Sequence, residues 1–196
     1  MIDEEKIAFY LSKFKTLQLS DLFAIFQLAK MRKLSAGDVY IKDGTTHRKL
    51  TYLVKGLIRV YNVNDSGEEI TIQLYWEDQF FASRHNVILH QPSPYIFQAV
   101  EDTELLEVDY DEMQALLDAN PQYSGPRNYF TLQMLTDSME RVESFILLSP
   151  EERYLKLLNE KQDIMSRVPD KYIATMLGIT PVSLSRIRKR IASRHK

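Results

Sequence analysis

The amino-acid sequence predicts an α+β protein: an N-terminal antiparallel β-roll of jelly-roll type with flanking helices, a long helix, and a C-terminal domain built on a helix–turn–helix. Three observations predict it. Between about residues 34 and 108 the hydrophobic pattern shortens to strand-length runs separated by turn residues. Residues 126–147 then form an unbroken stretch of helical periodicity. Residues 149–196 carry eleven Lys and Arg against five Asp and Glu, a net of +6, which leaves −8 on the remaining 148 residues. A basic end on an acidic body implies a polyanionic partner for that end alone.

In chain order, the first 35 residues read as helical. Ile7, Tyr10, Leu11 and Phe14 share one face, and Ser20 is a candidate N-cap for a second helix that buries Leu22, Phe23, Ile25, Phe26 and Leu28. Strand-like pieces follow. VYI ends at KDG (42–44), LTYLV at KG (55–56) and LIRVYNV at NDSGE (64–68); ITIQLYW comes next, then Tyr95–Val100 and Leu105–Val108 on either side of EDTE. Short strands with glycine at the turns suit a small antiparallel barrel or roll. Asp109–Ala119 returns to helix, and NPQYSGP (120–126) breaks it.

The helix expected from Pro126 to Leu147 spans about 33 Å at 1.5 Å per residue. Leu132, Leu135, Met139, Val142 and Ile146 follow one another at steps of three and four, the seam of a two-stranded coiled coil. Tyr129, Phe130, Met134 and Phe145 widen the apolar surface. The helix either joins two subunits or only closes its own domain. It has more apolar faces than one roll can cover, so a homodimer is expected. In SPEERYLKLL, Ser149 can cap, Pro150 suits the first helical position and Glu152 completes a capping box. The expected division is therefore a roll over 1–120, a linker and dimerisation helix over 121–148, and a helix–turn–helix domain over 149–196.

Composition excludes several chemistries. With no cysteine there are no disulfides, thiolate zinc sites, iron–sulfur clusters or cysteine nucleophiles. His47, His85, His90 and His195 form no pair at helical spacing, so no metal is expected, and no cofactor. No Ser/His/Asp grouping or phosphate-binding loop is visible, so no enzyme is expected. No apolar run reaches the roughly 18 residues of a membrane span. The N-terminal MIDEEKIAFYLSKF is acidic and amphipathic, unlike a signal peptide, so a cytoplasmic location without membrane partners is expected.

The last 27 residues carry the sharpest signal. Asp170–Leu177 reads as a short helix. Ala174 lets a second helix cross close, and Gly178 supplies a left-handed turn that other residues resist. Ile173, Leu177 and Ile179 fill the angle between the helices; Thr180 caps the second and Pro181 opens it. At 100° per residue, Leu184, Ile187 and Ile191 cluster within about 60° and face inward. Val182, Ser185, Arg186, Lys189 and Ser193 lie opposite, with Ser183 and Arg190 on the flank. The outward ridge is basic, with no acid expected to neutralise it. An α-helix fits the DNA major groove, where arginine can reach both acceptors of guanine. Lys189, Arg190, Thr180 and Ser183 suit phosphates, which position without reading sequence.

In LTYLVKGLIRVY within the roll, the long helix, and VPDKYIATMLGITPVSLSRIRKRI, the chain resembles the Crp/Fnr family of bacterial transcription regulators. The similarity is collinear over about 20–192 and best at 37–62 and 149–191. It implies a cyclic-nucleotide-binding-type sensor roll and a homodimer on a two-fold-related site in double-stranded DNA. RNA polymerase and an unidentified small-molecule effector are further candidate partners. The family's base-reading arginine falls on Arg186; the position often held by glutamate falls on Val182, which implies a different base preference, such as a thymine methyl. The segment between Asn159 and Val168 is short, so a reduced wing is expected.

The sensor departs further. The family's glycine–glutamate turn falls on Ala82 and Ser83, and its arginine–serine pair on Ser93 and Pro94. Proline offers no N–H and the matching cation is missing, with Arg84 the remaining candidate, so no response to cyclic AMP is expected. Tyr75, Trp76, Phe80 and Phe81 are read as core aromatics, or else as walls of a ligand pocket. A competing reading makes the chain a ligand-binding signalling module that acts through protein contacts, with a vestigial helix–turn–helix.

Overall fold

A computed structural model of the chain describes residues 27–119 and 124–194, with the backbone alone over 124–131. The helices expected over residues 1–26 lie outside the described residues. Eight strands are present among those described: β1 (Lys30–Leu34), β2 (Val39–Ile41), β3 (Lys49–Lys55), β4 (Ile58–Val63), β5 (Glu69–Tyr75), β6 (Phe80–Phe81), β7 (Ile96–Ala99) and β8 (Thr103–Asp109). They form two antiparallel four-stranded sheets, ordered β1-β8-β3-β6 and β2-β7-β4-β5. Alternating residues of both sheets meet in one core, which includes Leu53, Ile58, Val60, Phe81, Phe97 and Leu105.

Between β3 and β4 the chain turns on Gly56 at φ +100°, where a Cβ would come within 2.7 Å of the Thr103 backbone. Only glycine fits this crossing.

Two strands differ from the sequence expectation. Residues 30–34 are strand rather than helix. KMRKL has no apolar alternation; β1 is an edge strand held by pairing, Lys30 opposite Glu107 through Leu34 opposite Thr103. Its cations meet acids of β8, with Lys33 to Glu104 at 2.8 Å and Arg32 to Glu107 at 3.3 Å. A charged edge also discourages pairing with other chains. β6 is two residues long, too short to show a period, and leads into a one-turn helix, α1 (Arg84–Val87).

Helix α2 (Tyr110–Ala119) closes the roll and α3 (Ser124–Leu147) follows. It starts two residues before Pro126, which the first turn tolerates because its N–H has no helical partner there. Four shorter helices complete the chain: α4 (Pro150–Glu160), α5 (Ile164–Arg167), α6 (Asp170–Met176) and α7 (Pro181–Arg194). Ser149 and Glu152 form a reciprocal capping box at the start of α4. No strand occurs among the described residues after β8. Among the described residues no helix is long and apolar enough to cross a membrane.

The C-terminal helices do not pack separately from the roll. Their core of Tyr154, Leu157, Ile164, Ile173, Leu177, Leu184 and Ile187 extends onto Leu57 and Leu74 of the roll's outer surface, with Trp76 and Val100 alongside. Arg59 of β4 is fully buried at this junction, 4.1 Å from the centre of the Tyr61 ring and 3.5 Å from that of Tyr172 in α6. Its guanidinium donates to Thr71 and Glu69 at 2.9 and 2.7 Å. The Thr71 N–H donates in turn to the Thr175 hydroxyl at 3.1 Å.

Candidate nucleic-acid interface

Helices α6 and α7 are joined by a four-residue turn whose geometry follows from its residues. Gly178 has φ +69°, and a Cβ there would lie 2.9 Å from Phe145 of α3, so both backbone and packing call for glycine. The Thr180 hydroxyl accepts from the Ser183 N–H at 3.2 Å, which caps α7 where Pro181 opens it. Ala174, Ile173 and Leu184 are wholly buried between the two helices.

The turn is also tied to the long helix. The Arg153 guanidinium donates twice to the Leu177 carbonyl, at 3.2 and 3.0 Å, and once to that of Leu148 at 2.6 Å. It lies 4.6 Å from the centre of the Phe145 ring. Arg141 of α3 adds a bond to the Met176 carbonyl at 3.3 Å. The orientation of α7 is thereby fixed relative to α3.

With Leu184 and Ile187 turned inward, Val182, Ser185, Arg186, Lys189, Arg190 and Ser193 are exposed; Thr180 is exposed and Ser183 half-buried. Val182 is 60% exposed. The cations differ in their availability. Arg188 is paired fork to fork with Asp170, at 2.8 Å for each bond; burial alone would lower its pKa, but this pairing outweighs it and raises it. Arg186 and Lys189 have no hydrogen-bond or ion-pair partner among the described residues.

The expectation of a ridge without a neutralising acid needs correction at Arg190. Glu151, in the first turn of α4, forms an ion pair with Arg190 at 2.6 Å and accepts a hydrogen bond from Arg194 at 2.5 Å. It is 39 residues from Arg190 in sequence, so no local pattern could reveal it. Arg194 and Glu151 are the members of this surface that sequence reasoning missed.

On α3, Leu132, Leu135, Met139, Val142 and Ile146 are all between 54% and 74% exposed. They line one face, while Met134, Ser138 and Arg141 are half-buried on the face toward the roll.

Between roll and α3 lies a cleft of about 970 Å³, lined among others by Tyr75, Phe80, Ser83, Arg84, Ser138 and Arg141. Of the four aromatics singled out, Phe81 is core and stacks on Tyr75 at 4.9 Å. Trp76 packs against the C-terminal core instead, and Phe80 lies against Tyr52 at 4.8 Å. The residues that the sequence resemblance sets against a cyclic phosphate have these surroundings. The Ser93 hydroxyl is occupied with Tyr95, donating to its carbonyl at 2.9 Å. Pro94 has no N–H, and Arg84 is directed to the Ser138 hydroxyl at 3.2 Å. Among the described residues no group of three or more His, Asp or Glu is placed to hold a metal.

Residues 31–120 match the family model of the cyclic nucleotide-binding domain. The matched stretch spans the roll and its closing helix. The wider chain shares the fold of several solved proteins. FixK2 from Bradyrhizobium japonicum superposes with a TM-score of 0.73 at 14% identity, covering 85% of this chain and 86% of that one. CLP from Xanthomonas campestris, a c-di-GMP-responsive global regulator, gives 0.65 at 16% identity, covering 91% and 93%. The catabolite activator protein of Thermus thermophilus gives 0.55 at 18% identity, covering 93% and 87%. A comparison with curated proteins finds no match.

Proposed function

We propose that the protein is a homodimeric, sequence-specific DNA-binding transcription regulator of the Crp/Fnr type. It acts in the cytoplasm as a regulator rather than an enzyme. Helices α6 and α7 form its helix–turn–helix, and α7 enters the major groove. The observation that carries this reading is the outward ridge of α7, where exposed Arg186 and Lys189, without an ion-pair partner among the described residues, stand beside exposed Val182 and Ser185. A second observation supports the dimer: five apolar residues at coiled-coil spacing are solvent-facing in the single chain. Two subunits joined there would present their recognition helices to adjacent major grooves about 34 Å apart on an inverted repeat. The shared fold with proteins named as a global regulator and a catabolite activator is in keeping with this.

Arg186 reads a base and Lys189 a phosphate. After selection of the preferred site from a random duplex library, Arg186→Ala is expected to weaken specific binding by about 1–3 kcal/mol and to relax preference at one base pair per half-site. Lys189→Ala weakens binding to all sequences alike and flattens the salt dependence slightly. Unchanged discrimination by Arg186→Ala would refute this docking.

The effector, if the cleft takes one, is not cyclic AMP. The occupied Ser93 hydroxyl and the absent N–H of Pro94 leave the cyclic phosphate without its ligands. Calorimetric titration of the protein with cyclic AMP is expected to show no binding in the micromolar range; saturable micromolar binding would reverse the conclusion.

A further inference from the structure

The capping of α4 leaves one of its acids without a local task. Glu152 completes the capping box with Ser149. Glu151, beside it, turns instead across a groove of about 890 Å³ toward α7, whose Ser183, Arg186, Arg190 and Arg194 form the opposite wall. Each of its carboxylate oxygens takes one arginine: Oε2 that of Arg190 at 2.6 Å, Oε1 that of Arg194 at 2.5 Å. The carboxylate is only 15% exposed, whereas the arginines are 54% and 64% exposed. The acid is sheltered, and the cations it holds remain at the surface where a polyanion arrives.

A carboxylate bridging two guanidinium groups offers the geometry that a DNA phosphate would offer. We infer that Glu151 is a specificity-determining residue, an internal phosphate mimic that withholds Arg190 and Arg194 from DNA of arbitrary sequence. This rests on the DNA-binding reading above. Non-specific affinity comes from cations that displace counterions from phosphates. With Arg188 held by Asp170 and two more arginines held by Glu151, the described part of α7 keeps only Arg186 and Lys189 for that purpose. Base recognition by Arg186 is untouched, because Arg186 is not among the partners of Glu151. The ratio of specific to non-specific affinity therefore rises.

Glu151→Gln keeps the shape, removes the charge and leaves the capping box in place. Binding to a fluorescent random-sequence duplex is measured between 50 and 200 mM salt (about the range over which counterion release dominates). Wild type, Glu151→Gln, Arg190→Ala/Arg194→Ala and the triple variant are compared. Elution from heparin is run alongside, because it reads the same cations without requiring DNA to be the natural ligand. Glu151→Gln is expected to bind the random duplex about tenfold more tightly at low salt, with a log–log salt slope steeper by about one to two. It should leave heparin at higher salt than wild type. Both gains vanish when Arg190 and Arg194 are absent. Equal or weaker binding by Glu151→Gln, with an unshifted heparin position, overturns the inference, as does a gain that persists without the two arginines. If neither protein binds any duplex while the heparin shift is present, the DNA-binding reading fails and the masking of the arginines stands.

Discussion

A chain carrying Leu135→Glu and Met139→Glu is expected to be monomeric and to lose about a hundred- to ten-thousand-fold of its affinity for a duplex bearing both half-sites. Both side chains are more than half exposed in the single chain, at 55% and 54%. The substitutions therefore leave the roll and the face of α3 that packs on it unchanged. In a two-stranded seam the same positions would be buried. Each lost apolar side chain forfeits about 1.5–3 kcal/mol, and two carboxylates per subunit would have to be desolvated against their like-charged partners. In the proposed docking each subunit meets one half-site by itself, so binding to an isolated half-site should change little. Light scattering after size exclusion checks the mass, and anisotropy on full and half sites checks the affinity. A double variant that remains dimeric would place the subunit contact elsewhere.

The second large effect concerns the contact between the C-terminal helices and the roll. Arg167 of α5 reaches Glu77 and Glu101 through Nη2 at 2.5 Å each. It also bonds Asp163 at 3.0 Å and the Gly56 carbonyl at 3.2 Å. Lys161 adds a contact to Glu77 at 3.2 Å. Arg167→Ala leaves two part-buried carboxylates facing each other across the β5–β6 and β7–β8 connections. Breaking a fully buried pair costs about 3–5 kcal/mol; with these side chains partly open to water, about 2 kcal/mol is expected. Lysine should rescue only in part, because it lacks the planar fork that serves two carboxylates at once.

Acid gives an independent test of the same cluster. Burial alone would raise the Glu77 carboxyl, but Arg167, Lys161 and backbone N–H groups outweigh it and hold the group at about 2, below its ordinary 4.5. A carboxylate whose folded pKa is depressed stabilises fully above its unfolded value, and the contribution disappears as pH falls through the folded value. Wild type should therefore lose stability between about pH 5 and pH 2, and Arg167→Ala should lose less over that interval. Urea midpoints at pH 7 and pH 3 measure both effects. A variant with an unchanged midpoint at pH 7 and an unchanged acid dependence would show that this cluster does not hold the helices to the roll.

Several elements of the candidate site were legible in the sequence because their causes are local. Gly178, Thr180 and Pro181 fix the turn and helix start through one residue's φ, one hydroxyl and one missing N–H. The separation of Leu184 and Ile187 from Arg186 and Lys189 follows from helical period alone. The glycine-punctuated strands β2–β5 were legible for the same reason. The edge strand β1 was not: its residues carry no alternation, and its hydrogen bonds come from β8, about 70 residues later in the chain. The two-residue β6 was also invisible, being shorter than any period.

The sequence by itself determined which residues α7 turns outward and that α3 carries an apolar seam, since both depend on neighbours three and four positions away. Only the tertiary structure decided which outward cations are available, because Glu151 and Asp170 are brought to Arg190, Arg194 and Arg188 by the crossing of separate helices. It also decided that the C-terminal helices rest on the roll, through Arg59 between Tyr61 and Tyr172. Ion pairs and cation–ring contacts need only a few ångströms in space and no fixed spacing along the chain, so nothing in the linear order records them.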